Sequence, residues 1–287
     1  MMEIVRCPMC RASAVVAVQH LSVPFMVVEC RYCGIDFLSP RLPEDEMNKF
    51  YSNNYYDSTT PLDIGYATYR WDKKFYLSTF RRHWRKIKPY VPTWGRVLDV
   101  GAGFGYFLDI LPSEYIPEAI EISSEAITEL RDKCFGVYDD ISQCRSGYYD
   151  IVFSNDFLEH TYRPFDTLKE MYRITKPGGV VVTITIDHNC FLRKLSGASW
   201  VDYKTPEHVV YWSRNSLHRA LEGVGLTVIK TLQAWHTVRL GFVVDRLKKI
   251  SWLSWLPNPK AFNDIRVVVP SGHQIVIARR GKVLTNV

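Results

Sequence analysis

The sequence predicts an α/β protein with a doubly wound, seven-stranded, mostly parallel sheet and a small zinc ribbon at its amino terminus. Three observations lead to this fold class. A short buried strand runs into a glycine turn at residues 97–108. Further strand-like segments alternate with helix-like ones as far as residue 279, which is typical of a sheet covered by helices on both faces. Two C-x2-C pairs lie within the first 33 residues.

The composition is that of an ordinary globular protein, with 47% apolar and 23% charged residues. The 287 residues are enough for one large domain and a small appendage. A net charge of +6 is compatible with an anionic partner, but it is too small to indicate one by itself. The chain opens without a secretory signal and has no apolar run of membrane-spanning length. We therefore expect a cytoplasmic protein with reduced thiols.

Two cysteine pairs define the first expected domain, residues 1–40. Cys7 and Cys10 form one C-x2-C pair, and Cys30 and Cys33 form the other, with nineteen residues between the pairs. This spacing is typical of a zinc ribbon, in which four thiolates leave the metal no open position and make it structural. Disulfides or unrelated buried cysteines are the alternatives, and the missing secretion signal disfavours the first of them.

Residues 41–90 are predicted to form a helical connector, and the main domain is expected at residues 91–287. A helical pattern begins at Tyr66 and should end before Pro89. The basic residues of this helix are typical of a solvated face, with an anion site as the alternative. Its tyrosines are candidates for a lid over a ligand.

The glycine turn predicts a ligand site. Gly101, Gly103 and Gly105 allow a tight turn in which the backbone approaches a ligand closely, and we expect the turn to open a helix. Asp99 lies at the end of the preceding strand, and Glu121 lies 22 positions further on at the end of the second strand. A carboxylate at that spacing is suited to bind both hydroxyls of a ribose, so an adenosine-containing cofactor is predicted.

The remaining chain continues the strand and helix pattern. The seven predicted strands are residues 97–100, 119–122, 136–138, 149–154, 180–186, 226–232 and 274–279. Helices are predicted at residues 164–174 and 215–222, and Ser123 is predicted to cap another. Residues 155–160 follow the fourth strand, where an open parallel sheet exposes its ligand crevice.

Four motifs in this order resemble the class I S-adenosylmethionine-dependent methyltransferases, which have a Rossmann-like fold. The motifs are Leu98-Asp-Val-Gly-Ala-Gly, Glu121-Ile-Ser, Asp156-Phe-Leu-Glu-His and Lys176-Pro-Gly-Gly. They are similar to those of the quinone-biosynthesis O-methyltransferases and other small-molecule methyltransferases. The resemblance covers residues 66–281. It implies S-adenosyl-L-methionine as the cofactor and a last strand that runs antiparallel between the fifth and the sixth.

The turn and the resemblance together nominate nine cofactor-binding residues. They are Asp99, Gly101, Ala102, Gly103, Gly105, Glu121, Ile122, Asp140 and Asn155. Ala102 stands where many relatives carry cysteine. Relatives often place an acid near the adenine amino group, and Asp139 and Asp140 both stand at that point of the chain.

Two stretches of the sequence contain candidate groups for removing the proton of the methyl acceptor. In the quinone O-methyltransferases the residues matching Asp156, Glu159 and His160 are implicated in holding a divalent metal. The resemblance therefore implies a Mg²⁺-like ion that lowers the pKa of the acceptor hydroxyl. Alternatively, Glu159 and His160 only cap the loop. His208 is nominated as the general base, since an imidazole titrates near neutral pH, with a hydrogen-bonded histidine in a packed loop as the alternative.

The expected function is methyl transfer to a small biosynthetic intermediate, at a hydroxyl or carboxyl oxygen of a sugar, a phenol or a similar acceptor. A zinc-ribbon RNA methyltransferase is the second hypothesis. It is disfavoured because Asn155-Asp-Phe-Leu replaces the Asn-Pro-Pro-Tyr type of loop, and because the ribbon lacks a dense basic and aromatic surface. A non-catalytic cofactor-binding scaffold is the third. Residues 238–256 are apolar at helical spacing, which predicts a packed helix or homodimer contact, or contact with a membrane surface.

Overall fold

The computed structural model describes residues 2–52, 55–57, 69–133, 135–248, 255 and 257–282. The strands are β1 (Val15–His20), β2 (Met26–Cys30), β3 (Asp36–Leu38), β4 (Gly95–Val100), β5 (Tyr115–Ile120), β6 (Gly136–Tyr138), β7 (Tyr149–Asn155), β8 (Thr175–Ile186), β9 (Val210–Tyr211), β10 (Leu226–Arg239) and β11 (Arg266–Arg280). The α-helices are α1 (Glu44–Ser52), α2 (Lys73–Ile87), α3 (Ser124–Asp132), α4 (Pro164–Ile174), α5 (Phe191–Ser196), α6 (Arg214–Gly223) and α7 (Leu240–Lys248). Short 3-10 helices lie at Tyr55–Asp57, Lys88–Tyr90, Leu108–Ile110, Ile141–Gln143, Leu158–His160, Gly197–Ser199 and Pro259–Phe262.

The main sheet contains seven of the described strands, in the order β10-β11-β8-β7-β4-β5-β6. β11 is antiparallel to both of its neighbours, whereas every pair from β8 to β6 is parallel. The predicted fold is therefore confirmed, including the antiparallel strand between the fifth and the sixth. The two last strands are longer than predicted, because β10 and β11 continue as a paired ribbon beyond the edge of the parallel strands.

Side chains of the central strands alternate between two cores. Val97 belongs to the core that includes Phe80 of α2, and the next residue, Leu98, belongs to the core that includes Leu168 of α4. This alternation is what a strand with helices on both faces requires, because successive side chains of a strand point to opposite faces. The helices thus cover both faces and leave the carboxyl ends of β4, β5 and β7 at one edge of the sheet.

The amino-terminal ribbon is an antiparallel sheet in the order β1-β2-β3-β9. Its last strand comes from the carboxyl-terminal half of the chain, since Tyr211 pairs with Asp36 and Val210 pairs with Phe37. Phe37 is fully buried in the same core as α4 and α6. The ribbon sheet thus extends beyond the predicted boundary at residue 40, and the three domain limits stay predictions.

The connector contains the predicted helix. Helix α2 ends at Ile87 and a 3-10 turn carries the chain through Pro89, as the sequence predicts. The predicted start of the helical pattern, Tyr66, lies outside the described residues. Phe80 and Trp84 are buried on the inner face of α2, where they contact Phe107 after the glycine turn.

The prediction that the glycine turn opens a helix is wrong. Residues 101–107 form turns, and only the 3-10 helix Leu108–Ile110 follows them. The φ angles of Gly101, Gly103 and Gly105 are 77°, 53° and 71°. Positive φ angles lie outside the α-helical region, and Pro112 disfavours helical conformation in the residue before it. Between the last glycine and Pro112 the chain therefore forms turns and a single 3-10 turn.

The apolar segment at residues 238–256 is helical in part. Its first two residues end β10, and α7 follows, with Gly241 and Val244 buried. Residues 249–254 and 256 lie outside the described residues, so homodimer or membrane contact through this segment stays a prediction. Within the described ranges, the helices all lack the length and apolar character that crossing a bilayer requires.

Candidate active site

A cavity of about 650 Å³ lies at the carboxyl ends of β4, β5 and β7. Nominated residues that line it are Gly101, Glu121, Ile122, Asp140, Asn155 and His160. The connector closes the opposite side with Tyr51 of α1, Tyr55, Tyr56 and Tyr69. An open parallel sheet binds ligands in this position, so the tyrosines lie where a lid is predicted.

Glu121 is the most firmly held acid of the cavity. Its Oε1 atom accepts the backbone N–H groups of Ile122 and Ser123 at 2.8 and 2.9 Å. Its Oε2 atom accepts the N–H of Gly103 at 2.7 Å and the hydroxyl of Tyr56 at 3.3 Å. The carboxylate is thereby fixed at the end of β5, between the glycine turn and the connector.

The glycine turn packs closely enough to exclude larger residues. The N–H groups of Gly101 and Ala102 both donate to the carbonyl of Ile120. A Cβ atom at Gly101 would lie 2.7 Å from the ring of Phe157, and one at Gly105 would lie 2.7 Å from Leu130 Cδ2. Both positions also have positive φ, so glycine is required there for the backbone and for the space.

The other nominated acids differ in exposure. Asp99 is buried behind the turn, where burial and the charge of Glu121 raise its pKa well above the usual range. The carboxylate of Asp140 accepts the N–H of Ser142 at 2.7 Å, which lowers its pKa. The side-chain amide of Asn155 donates to Asp156 Oδ2 at 3.0 Å. The amide oxygen Oδ1 of Asn155 has no hydrogen-bond partner among the described residues.

These residues fit S-adenosyl-L-methionine on two grounds. The fixed Glu121 carboxylate is suited to accept ribose hydroxyls, and Gly101 of the glycine turn lines the cavity, where the backbone can approach a ligand closely. The lining acids, including Asp139, Asp140 and Asp156, also suit a cofactor whose sulfonium group carries a positive charge.

His160 lines the cavity at the end of the loop that follows β7. Its Nδ1 atom lies 3.1 Å from the carbonyl oxygen of Glu207 and 3.0 Å from the hydroxyl of Tyr51. A protonated Nδ1 donates to the Glu207 carbonyl, whereas an unprotonated Nδ1 accepts the Tyr51 hydroxyl, so these two contacts fit either neutral tautomer. Burial lowers the pKa of His160 to about 4, so the imidazole is neutral at pH 7.

Glu159 is fully buried beside His160. Thr185 donates to its Oε2 atom at 2.8 Å, whereas Oε1 accepts no hydrogen bond from the described residues. Burial, together with the charge of Asp156, raises the pKa of Glu159 to about 8. A buried carboxylate oxygen without a donor is costly and therefore marks a place for a proton or a cation.

His208 lies behind His160 and away from the cavity lining. The two rings are 4.7 Å apart and nearly perpendicular, and His208 Nδ1 donates to the carbonyl of Asp202 at 2.8 Å. Burial and the adjacent His160 lower its pKa well below the usual value. The structure thus brings the three nominated catalytic residues together, with His160 at the surface of the cavity.

Sequence reasoning missed His273, which begins the paired part of β11 beside β8. Its Nε2 atom lies 3.3 Å from Asp156 Oδ1, and its Nδ1 donates to the carbonyl of Ser271. Burial lowers the pKa of His273, but the charges of Asp202, Asp156 and Glu159 outweigh burial and the net change is upward. The positive φ of Asp156, 49°, is an unusual backbone conformation at this contact.

The four nominated zinc ligands also come together. Their Sγ atoms all lie within 4.8 Å of one another, and Cys7–Cys33 and Cys10–Cys30 are each 3.5 Å apart. Four sulfurs about 2.3 Å from a tetrahedral zinc ion are separated by about 3.8 Å, so the arrangement fits this metal. A disulfide would need about 2.05 Å, and these four cysteines are free thiols.

Comparisons with known proteins agree with this geometry. Residues 35–231 match a family model described as a methyltransferase domain. A ubiquinone biosynthesis O-methyltransferase of Pseudomonas savastanoi pv. phaseolicola is 27% identical over 182 residues, which are 54% of this chain and 78% of that protein. A malonyl-[acyl-carrier protein] O-methyltransferase of Marinomonas sp. is 29% identical over 124 residues, which are 39% of this chain and only 45% of that protein.

The fold itself is found in solved structures. The crystal structure of a SAM-dependent methyltransferase from Archaeoglobus fulgidus superposes with a TM-score of 0.53 at 20% identity, over 74% of this chain and 99% of that one. The family match covers more than half of the chain and includes the glycine turn, Glu121 and the loop after β7. The chain therefore belongs to the methyltransferase-domain family and is a class I S-adenosylmethionine-dependent methyltransferase.

Proposed function

We propose that this enzyme transfers the methyl group of S-adenosylmethionine to an oxygen atom of a small hydroxylated or carboxylated molecule. The observation that carries the proposal is that one cavity is lined both by Glu121 and Asp140 and by His160 and Tyr51. A volume of about 650 Å³ is in the range of small-molecule pockets. Two relatives named as O-methyltransferases support oxygen as the acceptor atom.

The nine nominated residues are proposed to hold the cofactor. Glu121 binds the ribose hydroxyls, and Asp140 lies toward the adenine. The cofactor lies against the backbone of the glycine turn at Gly101, Ala102, Gly103 and Gly105. Asp99 lies beneath this turn. Ile122 and Asn155 complete the lining of the cavity. The role of this set is to place the methyl group in line with the acceptor oxygen, because positioning supplies much of the catalysis of such a displacement.

Glu159, His160 and His208 are proposed to handle the acceptor. His160 is the member that lines the cavity, where it meets the acceptor hydroxyl. The ring of His208 packs against His160 from behind the lining, so we assign it this packing role in place of the general-base role that the sequence predicts. With a pKa of about 4, His160 is a weak base on its own. The acceptor hydroxyl therefore needs further activation before it attacks the methyl carbon.

The amino-terminal cysteines are proposed to hold a structural zinc ion. Four thiolates leave no open coordination position, which excludes a direct part in methyl transfer. The ion would instead stabilise the ribbon, whose strand β1 has no buried residue. The ribbon in turn supports the main domain through β9.

The test is methyl transfer from radiolabelled S-adenosylmethionine to panels of phenols, sugars, carboxylic acids and RNA. We expect label on an oxygen of a small molecule, and a loss of most of the transfer in His160→Gln. His218→Gln is the matched control, because His218 lies on α6 and bonds to Thr231, away from the cavity. Transfer to RNA alone, or to no hydroxyl or carboxyl acceptor, would rule out the proposal.

A further inference from the structure

The hydroxyl of Tyr56 lies on the acid that is proposed to bind the ribose. It donates to Glu121 Oε2 at 3.3 Å, and the same oxygen accepts the N–H of Gly103. Tyr56 belongs to the short 3-10 helix Tyr55–Asp57 of the connector, and it lines the cavity together with Glu121. A side chain of the protein and a hydroxyl of the ligand therefore compete for one carboxylate oxygen.

Four donors of the described residues fill the acceptor positions of Glu121. A carboxylate offers about four such positions on its two oxygens. The N–H groups of Ile122 and Ser123 occupy Oε1, and the N–H of Gly103 and the hydroxyl of Tyr56 occupy Oε2. A ribose hydroxyl can therefore bind this acid only in exchange for one of the four donors.

The Tyr56 hydroxyl is the donor that can leave. The three N–H groups belong to the backbone on either side of the acid, and their distances to Glu121 are 2.7, 2.8 and 2.9 Å. The distance of 3.3 Å from Tyr56 is longer than the usual O–H···O hydrogen bond of about 2.5–3.0 Å. Loss of this bond requires the shift of one side chain, whereas loss of the others requires a new backbone conformation.

The glycine turn shows that the hydroxyl also fills space that a ligand would use. A Cβ atom at Gly103 would lie 3.2 Å from the hydroxyl of Tyr56 and 3.2 Å from the hydroxyl of Tyr69. Because glycine has no side chain, it leaves room for another group directly against its backbone. The two phenol oxygens occupy that room, and a ligand that approaches Gly103 has to take their place.

The adjacent residue holds the connector in position during such an exchange. Tyr55 donates to Glu207 Oε2 at 2.8 Å, and both of these side chains are buried. The 3-10 helix thus has a short hydrogen bond to the loop before β9 and a long one to Glu121. The long bond can break while the short one is kept, so the exchange is confined to Tyr56.

We propose that Tyr56 is a built-in competitor of the cofactor, whose hydroxyl occupies Glu121 Oε2 until a ribose hydroxyl of S-adenosylmethionine replaces it. The inference rests on the proposed function, because the ligand is the one used in methyl transfer. The exchange trades one hydrogen bond to Glu121 for another and so lowers the net affinity for the cofactor. Tyr56 also returns to Glu121 when S-adenosylhomocysteine leaves, which favours release of this product.

The test compares Tyr56→Phe with wild type by isothermal titration with S-adenosylhomocysteine. The variant keeps the ring that packs against Phe104 and removes the competing hydroxyl. We expect it to bind about three- to tenfold more tightly, because no hydrogen bond to Glu121 is lost on binding. Tyr32→Phe is the matched control, since Tyr32 is an exposed tyrosine of the ribbon, and its affinity should equal that of wild type.

Analogues of S-adenosylhomocysteine that lack the 2′- or the 3′-hydroxyl then identify the exchange. The gain in Tyr56→Phe should disappear with the analogue that lacks the replacing hydroxyl, because Tyr56 then keeps its place in wild type. Equal or weaker binding of S-adenosylhomocysteine by Tyr56→Phe overturns the inference, as does the same gain with all three ligands. If wild type and Tyr56→Phe both fail to bind S-adenosylhomocysteine, the proposed function fails and the inference with it.

Discussion

The Oε2 atom of Glu121 accepts the N–H of Gly103 at 2.7 Å, so the acid after β5 is fastened to the glycine turn after β4. Two features that are 18 residues apart in the chain thereby form one rigid surface. Three backbone N–H groups in all donate to this carboxylate and fix its direction. This preorganisation is what a ribose-binding acid needs, because little entropy is then lost when the ligand binds.

The glycine turn gives the first prediction. Gly101→Ala should abolish most S-adenosylhomocysteine binding, because the new methyl group would lie 2.7 Å from the Phe157 ring at a φ of 77°. Gly197→Ala is the matched control, since Gly197 also has positive φ but nothing lies within 4 Å of the added Cβ. Backbone strain should cost both variants about 1–2 kcal/mol of stability by urea unfolding, and the contact with Phe157 should make the loss larger in Gly101→Ala. Equal cofactor affinity in the two would show that the turn does not approach the ligand.

The cysteine cluster gives the second prediction. Purified protein should contain one zinc ion per chain by elemental analysis, and Cys33→Ser should lose it, because the change removes one of four ligands. Cys190→Ser is the matched control, since Cys190 is a free, half-buried thiol far from the cluster in sequence. Zinc retained at full occupancy in Cys33→Ser would contradict the four-thiolate site.

A buried hydrogen-bond chain between ribbon and main domain gives the third prediction. His188 Nδ1 donates to Asp36 Oδ2 of β3 at 2.6 Å, and its Nε2 lies 2.8 Å from the hydroxyl of Tyr203. His188→Ala should cost about 3–5 kcal/mol in the free energy of unfolding, because it leaves a buried carboxylate without its partner. His20→Ala, at an exposed strand end, should cost nothing measurable. A similar cost for both would mean that the ribbon is not anchored through Asp36.

His83 gives the fourth prediction, on pH. Burial lowers the pKa of His83 from 6.5 to about 3, although its contact with the carbonyl of Trp235 acts in the opposite direction. Between these values the unfolded chain binds a proton at this site and the folded chain does not. Stability is therefore fully present above about pH 6.5 and is lost as the pH falls toward 3.

The comparison is with His83→Gln, which cannot titrate. Between pH 6.5 and 5 the wild type should lose about 1–2 kcal/mol more stability than the variant, in paired urea titrations. Parallel pH profiles for the two proteins would show that His83 keeps an ordinary pKa in the folded state.

Local chemistry explains which parts of the fold and site could be predicted. The cysteine cluster follows from the C-x2-C spacing, and the seven strands follow from short apolar segments between turns. The glycine turn and the acid after β5 indicate an adenosine-containing ligand, whereas S-adenosylmethionine and the antiparallel last strand are what the family resemblance implies. The helix expected after the turn failed because three positive φ angles and Pro112 act together over a short segment. The hydrophobic periodicity of the sequence carries no information about this combination of φ angles and proline.

Contacts across the sheet order could not be predicted. The insertion of β11 beside β8 was predicted, but the register that pairs His273 with Ile186 and brings it to Asp156 was not. Val210 pairs with Phe37 of the ribbon across a long stretch of chain, and nothing in the sequence indicates this pairing. The place of His208 behind His160 likewise depends on a loop that returns from another part of the chain. A lone histidine with no partner nearby in sequence gives no signal of these contacts.

The most direct measurement is isothermal titration of the zinc-loaded protein with S-adenosylhomocysteine, beside Glu121→Ala and Glu114→Ala. Glu114 lies exposed at the opposite end of β5 and is the matched control. We expect affinity on the order of micromolar for wild type and Glu114→Ala, and a loss of at least about tenfold, or ~1.4 kcal/mol, in Glu121→Ala. Absence of binding to well-folded wild type, or unchanged affinity in Glu121→Ala, would contradict the assignment of this cavity to the cofactor.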